Sequence, residues 1–130
     1  MIPSHIHIGQ IGEQAVANHL KRQGYVILGK NYRKKWGEID VIARKKGLVH
    51  FFEVKTVSCE TKLIDLTKGS WLPEDNVDRF KLKKLFRTIE TWLLEYRYEG
   101  QWQLDVVSVW IDTKKKQGRI KIIENIVESL

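Results

Sequence analysis

The chain has 130 residues, with 23 Lys and Arg against 16 Asp and Glu for a net charge of +7. It is long enough for one domain, 1–130, that buries about two-thirds of its unfolded surface in a single core, and its charge favours polyanionic partners over neutral small molecules. Cys59 is the one cysteine, which excludes an internal disulfide and a cysteine-built zinc site.

A reducing cytosol fits that cysteine usage. The N-terminal residues Met1 to His7 lack a basic region followed by an apolar stretch, and no run approaches the about 20 apolar residues of a membrane span. These features predict a cytoplasmic protein with no membrane partner. His5 and His7 alternate with Ile6 and Ile8; imidazoles can ligate metal, but a frayed terminus accounts for them. From Gly9 to Gln23, Ile11, Ala15, Val16, His19 and Leu20 recur at helical spacing, and Gly24 is placed as a C-terminal stop. Glu13 falls at the edge of that apolar stripe, where it either favours the helix dipole or serves as a third acid of a site.

Tyr25 to Leu28 reads as the first strand. In the stretch Asn31 to Trp36, three cations, Arg33, Lys34 and Lys35, sit between two aromatics, a composition that suits phosphate contact with base stacking and also suits a solvated connection. Two strand-like runs follow, Glu38–Ala43 and Leu48–Lys55, joined by Arg44-Lys45-Lys46-Gly47. They predict a hairpin. With Lys46-Gly47 as its two loop residues, Asp40 faces Glu53 and Glu38 faces Lys55. Period-2 alternation then puts Glu38, Asp40, Glu53 and Lys55 on one face and Ile39, Val41, Phe52 and Val54 on the other. Opposed like charges destabilise a strand pair, so Asp40 and Glu53 require a cation between them. A divalent ion serves; the plainer alternative is a Glu38–Lys55 ion pair with Asp40 capping nearby backbone.

Residues 57–77 read as irregular, with Lys62 to Lys68 as a short helix or strand and Gly69 to Pro73 as loop. Such a segment, directly after Lys55, is placed to cover the site or gate entry to it. Asp75 or Asn76 caps a predicted helix from Val77 to Tyr98 with an apolar stripe of Leu82, Leu85, Phe86, Ile89, Trp92, Leu93 and Tyr96. Arg79, Lys81, Lys83, Lys84 and Arg87 crowd its first half, where the helix dipole disfavours cations. A phosphate-binding surface explains them. Leu104–Ile111 and Arg119–Ile126 read as the last two strands, with Asp105 structural. No Gly-rich phosphate loop or nucleophile elbow is present.

The order of elements predicts an α/β domain with a central mixed sheet flanked by helices. An Asp on one strand followed by Glu-x-Lys on the next resembles the metal-dependent nuclease superfamily named for its PD-(D/E)xK motif. Asp40, Glu53 and Lys55 stand at its positions, and Ile39 replaces the proline, as in resolvase-like members. With Gly9, Gly12-Glu13, Gly24-Tyr25, Asn31-Tyr32-Arg33, Gly37-Glu38-Ile39-Asp40 and Asp105-Val106-Val107, the chain resembles the YraN-like family, similar in fold to archaeal Holliday junction resolvases. The resemblance implies a restriction-endonuclease-like fold and a Mg²⁺- or Mn²⁺-dependent endonuclease acting on DNA. Asp40 and Glu53 would hold the metal with the Val54 carbonyl, Glu13 would serve a second metal or a metal-bound water, and Lys55 would orient the attacking water. Hard oxygen donors are what Mg²⁺ prefers. A homodimer is compatible, since resolvases act on substrates with two matched strands. The rival expectation is a noncatalytic nucleic-acid-binding module on the same fold.

Overall fold

The computed structural model describes residues 5–59, 79–112, 114–115 and 117–129. Its elements are α1 (His5–Arg22), β1 (Val26–Lys34), β2 (Gly37–Lys45), β3 (Leu48–Cys59), α2 (Arg79–Glu95), β4 (Trp102–Asp112), β5 (Gln117–Ile123) and a short α3 (Ile126–Ser129). The five strands form one sheet in the order β1-β2-β3-β4-β5, parallel between β3 and β4 and antiparallel elsewhere. The architecture is thus the predicted α/β domain with a mixed sheet, consistent with a restriction-endonuclease-like domain. Among the described residues no helix is long and apolar enough to cross a membrane.

Helices cover both faces. Val16 and Leu20 of α1 pack on Val41, Ala43, Phe52, Val107 and Val109, while Leu85, Ile89 and Trp92 of α2 pack on Ile39, Ile42, Val49, Phe51, Leu104 and Val106. That double cover explains why β4 is buried at every position from Leu104 to Val109, as strands inside a two-sided sandwich must be.

Local chemistry sets the ends of these elements. At the close of α1, Gly24 takes φ +93°, the Gly24 N–H donates to Lys21 and the Tyr25 N–H donates to Leu20, a Schellman stop that favours glycine. Helix α2 ends the same way with Arg97 at φ +51°, so it stops at Glu95, short of the Tyr98 the periodicity suggests. The β2–β3 turn has Lys46 and Gly47 both at positive φ, the conformation of a two-residue hairpin loop. Val41↔Phe52, Ala43↔His50 and Lys45↔Leu48 pair in the register that loop predicts, but the ladder ends at Val41↔Phe52 and does not include the expected Asp40–Glu53 and Glu38–Lys55 pairs.

Several expectations are corrected. His5 to Ile8 belong to α1 in their backbone rather than fraying, and β1 continues through Lys34, so Asn31 to Lys34 are strand and not connection. Val57 to Cys59 extend β3, and β5 ends at Ile123 because Asn125 turns at φ +52°. The expectations for Lys62 to Lys68, for 69–73 and its cover or gate over the site, and for the Asp75 or Asn76 cap fall outside the described residues.

The largest correction concerns the faces of β2. Ile39 packs with Ile42 and Phe51 against α2, whereas Val41 packs with Phe52 against α1. Residues two apart therefore lie on opposite faces, and the alternation breaks across Asp40. On the facing strand the break falls at Asn31, φ +53°. Its neighbours Lys30 and Tyr32 pair with Val41 and Ile39; Lys30 reaches Gln14 of α1 at 2.6 Å, and Tyr32 packs on the α2 side. Asparagine tolerates this left-handed geometry better than most residues.

Candidate functional site

The break at Asn31 and Asp40 is where the sheet gathers its acids. Glu13 comes from α1, Glu38 and Asp40 from β2, and their carboxylate oxygens lie within 4.8 Å of one another. Glu53 of β3 stands alongside, and its charge is felt by Asp40. The described ladder of β2 and β3 stops at Val41↔Phe52. Beyond it the Val54 N–H donates to Asp40 Oδ2 at 2.8 Å, so a carboxylate takes a backbone donor just past the last paired residues and is oriented by it.

Two glycines allow the helices to approach. A Cβ on Gly12 would run into the Thr56 side chain, so the absence of one lets α1 lie against β3 and bring Glu13 in. A Cβ on Gly37 would meet the Thr88 hydroxyl and the Lys84 carbonyl oxygen. The N-terminal half of α2 therefore sits directly on the start of β2, with Lys81 and Lys84 over the acids. Glu38, Asp40, Glu53, Lys81 and Lys84 line a cleft of about 330 Å³.

Electrostatics record an excess of negative charge. Burial, then the neighbouring Glu53, push Asp40 up to about 8, against the pull of the Val54 N–H. Burial also raises Glu53, opposed by its bond with Lys81, and burial followed by the Glu38 charge raises Glu13, opposed by Asn31. With its amide nitrogen facing the acids, Asn31 donates to Glu13 Oε1 at 2.8 Å and to Glu38 Oε1 at 3.2 Å. This orientation is assigned from the acceptor-only surroundings of that end of the amide. Arg33 Nε meets Glu38 Oε1 at 3.0 Å, and Lys81 Nζ meets Glu53 Oε1 at 2.6 Å.

The structure thus brings Glu13, Asp40 and Glu53 to one place and sets Lys55 exposed on β3 two residues past Glu53. It adds two groups the sequence reading left out of the site, Glu38 and Asn31. Glu38 was legible from its alternation with Asp40, although its ion pair is with Arg33. Asn31 carried no such signal, because the strand that holds it reads from the sequence as ending at Leu28.

The cations predicted for nucleic acid come from two separate segments, which the structure joins. Arg87 of α2 lies over the Trp36 ring at 4.4 Å, and Lys34 pairs with Glu95 at 3.1 Å. Arg33, Lys35, Arg79, Lys81, Lys83, Lys84 and Arg87 are all exposed, and the two segments meet where Gly37 abuts α2, at the cleft. Lys34 is half-buried and turned to Glu95 and Tyr32, which makes it a strut of the β1–α2 contact.

Asp105 stands apart. It is fully buried, takes Gln103 Nε2 at 2.7 Å and the Asn125 N–H at 2.8 Å on Oδ1, and lies 2.7 Å from His50 Nδ1 through Oδ2. It ties β4 to β3 and to the turn before α3.

Fold and site together define an α/β domain, consistent with a restriction-endonuclease-like architecture, that gathers acids at a break in its sheet beside a basic helix. Residues 12–109 match the model of the uncharacterised protein family UPF0102. The chain belongs to this family, which is the one its motifs resemble. It is similar to UPF0102 proteins of Campylobacter fetus subsp. fetus, 33% identical over 115 residues and 88% of each chain, and of Campylobacter jejuni subsp. jejuni serotype O:23/36, 34% identical over 118 residues and 91% of each. A UPF0102 protein of Clostridium botulinum is 32% identical over 120 residues and 91% of each chain.

Proposed function

We propose that this protein is a metal-dependent endonuclease that hydrolyses DNA phosphodiester bonds, branched or junction DNA being the substrate that the resemblance to resolvases suggests. The observation that carries the reading is the convergence of Glu13, Glu38 and Asp40 within 4.8 Å beside Glu53, under an exposed basic helix. That donor set fits a hard divalent ion, since every group offers oxygen and none offers imidazole or sulfur. The raised pKa of Asp40 marks charge that the protein itself leaves unneutralised.

Asp40 and Glu53, with Glu13, Glu38 and the Val54 carbonyl, would hold Mg²⁺ or Mn²⁺. When bound, such an ion supplies charge stabilisation to the oxygens of the scissile phosphate. Asn31 holds Glu13 and Glu38 in position, and the Val54 N–H fixes the Asp40 carboxylate. Lys55 orients water and places an ammonium against phosphate charge developing in the transition state. Arg79, Lys83, Lys84 and Arg87 bind the backbone on either side, where cations contribute affinity without reading sequence.

The test is a panel of labelled duplex, single-stranded and four-way-junction DNA incubated with Mg²⁺ or Mn²⁺, with Glu53→Gln purified in parallel. Cleavage by wild type that is absent from the variant supports the reading. DNA binding with no cleavage of any substrate favours the noncatalytic module instead.

A further inference from the structure

Lys81 occupies an unexpected place for a residue on a nucleic-acid surface. Its Nζ is 2.6 Å from Glu53 Oε1, with the lysine side chain 48% exposed and the glutamate side chain 13% exposed. The lysine carries its charge on a flexible four-carbon stem, while a carboxylate that deep in the cleft requires a positive partner. Among the described acids, Glu13, Glu38 and Asp40 form the tight trio, and Glu53 is instead held by the lysine.

We infer that Lys81 is a resident counter-cation of the carboxylate site, and that it couples metal binding to phosphate binding by passing from Glu53 to a substrate phosphate. The inference rests on the nuclease reading and deepens it. A divalent ion that recruits Glu53 must displace the ammonium or sit beside it, so Lys81 opposes metal entry in the free protein. A phosphate at the cleft mouth offers Lys81 another partner, releases Glu53 and favours the metal. The helix need not move for this exchange, because Gly37 seats α2 directly on β2 and the transfer lies in the side chain alone. Lys84, one turn further along and lining the same cleft, is placed to take the same phosphate. By linkage, the factor by which phosphate tightens metal binding equals the factor by which metal tightens phosphate binding. The device holds the metal weakly until a polyanion is present.

The experiment titrates Mn²⁺ by calorimetry into DNA-free wild type, Lys81→Met, Lys81→Arg and Asp40→Asn. It also measures the affinity of a labelled duplex by anisotropy at fixed ionic strength with and without Ca²⁺. Lys81→Met is expected to bind Mn²⁺ about tenfold more tightly than wild type, within the usual range of a coupling between sites. Lys81→Arg, which keeps the charge, should resemble wild type. In the anisotropy arm, Ca²⁺ should tighten duplex binding several-fold more for wild type than for Lys81→Met. Equal or weaker Mn²⁺ binding by Lys81→Met, with Lys81→Arg and melting curves showing both variants folded, overturns the inference. If Asp40→Asn nevertheless loses Mn²⁺, the metal site itself survives. No Mn²⁺ binding to any of the proteins overturns both together.

Discussion

Asp40→Asn in metal-free protein is the substitution whose outcome follows most closely from the site. Burial and the Glu53 charge raise the Asp40 carboxyl from 3.8 to about 8, so the folded protein holds a proton there across a range in which the unfolded chain has released it. Where the native state binds more protons, stability falls as pH rises. The favourable contribution is complete below about pH 4 and is lost progressively up to about pH 8. The full span, at about 1.36 kcal/mol per pH unit, amounts to about 6 kcal/mol. Lys81 and water can turn toward the newly ionised group, so we expect about half of it, roughly 3 kcal/mol, to be measurable. Asparagine keeps an oxygen for the Val54 N–H and adds an amide donor facing the acids, reproducing the protonated form at every pH. Urea unfolding with chelator at pH 5 and pH 8.5 measures the effect. Wild type should lose stability between the two values, and Asp40→Asn should be the more stable protein at pH 8.5 with a flatter profile. Parallel profiles, or a variant less stable than wild type at pH 8.5, would refute the electrostatic account of the site.

Other consequences can be measured separately. Millimolar Mn²⁺ should raise wild-type stability by about 1–3 kcal/mol through mass action, and melting curves should show this gain abolished in Asp40→Asn. Gly37→Ala forces a methyl group against Thr88 and the Lys84 carbonyl, and should cost about 1–3 kcal/mol in denaturant titrations, as overpacking commonly does. Duplex affinity should fall steeply with salt. Replacing Lys83 and Lys84 together by Ala should flatten the slope of log K against log salt by about 1–2, each phosphate contact being worth about 0.9. Asp105→Ala strands Asn125, Gln103 and His50 without their shared acceptor and should destabilise the fold by about 3 kcal/mol at neutral pH without abolishing Mn²⁺ binding.

Local signals carried much of the architecture. Lys46-Gly47 set the hairpin register because both residues accept the positive φ that a two-residue loop demands, and Gly24 ended α1 for the same reason. The acids of β2 and β3 stood out because charges inside apolar runs have a cost. What escaped was non-local. The face switch at Asn31 and Asp40 leaves no mark on β2, whose letters alternate straight through it from Glu38 to Val41. The bond from Lys81 to Glu53 links residues 28 positions apart through the packing of α2 on β2, which periodicity does not encode. The polar letters of Asn31, Arg33 and Lys34 read as a connection, yet Tyr32 packs on the α2-side core and half-buried Lys34 pairs with Glu95 of α2.

The central claim, that the acids and Lys55 perform phosphodiester hydrolysis, is tested most directly by measuring cleavage and gel retardation of one labelled DNA panel. Wild type, Lys55→Ala and Glu53→Gln are compared in Mn²⁺ after identical purification. Losing a charge-stabilising group costs about 10²–10³ in rate, whereas ground-state affinity rests on the distributed basic surface. The account predicts variants that still shift DNA but cut it at least a hundredfold more slowly. Equal cleavage by all three proteins, or a wild type that shifts every substrate and cuts none, would contradict it.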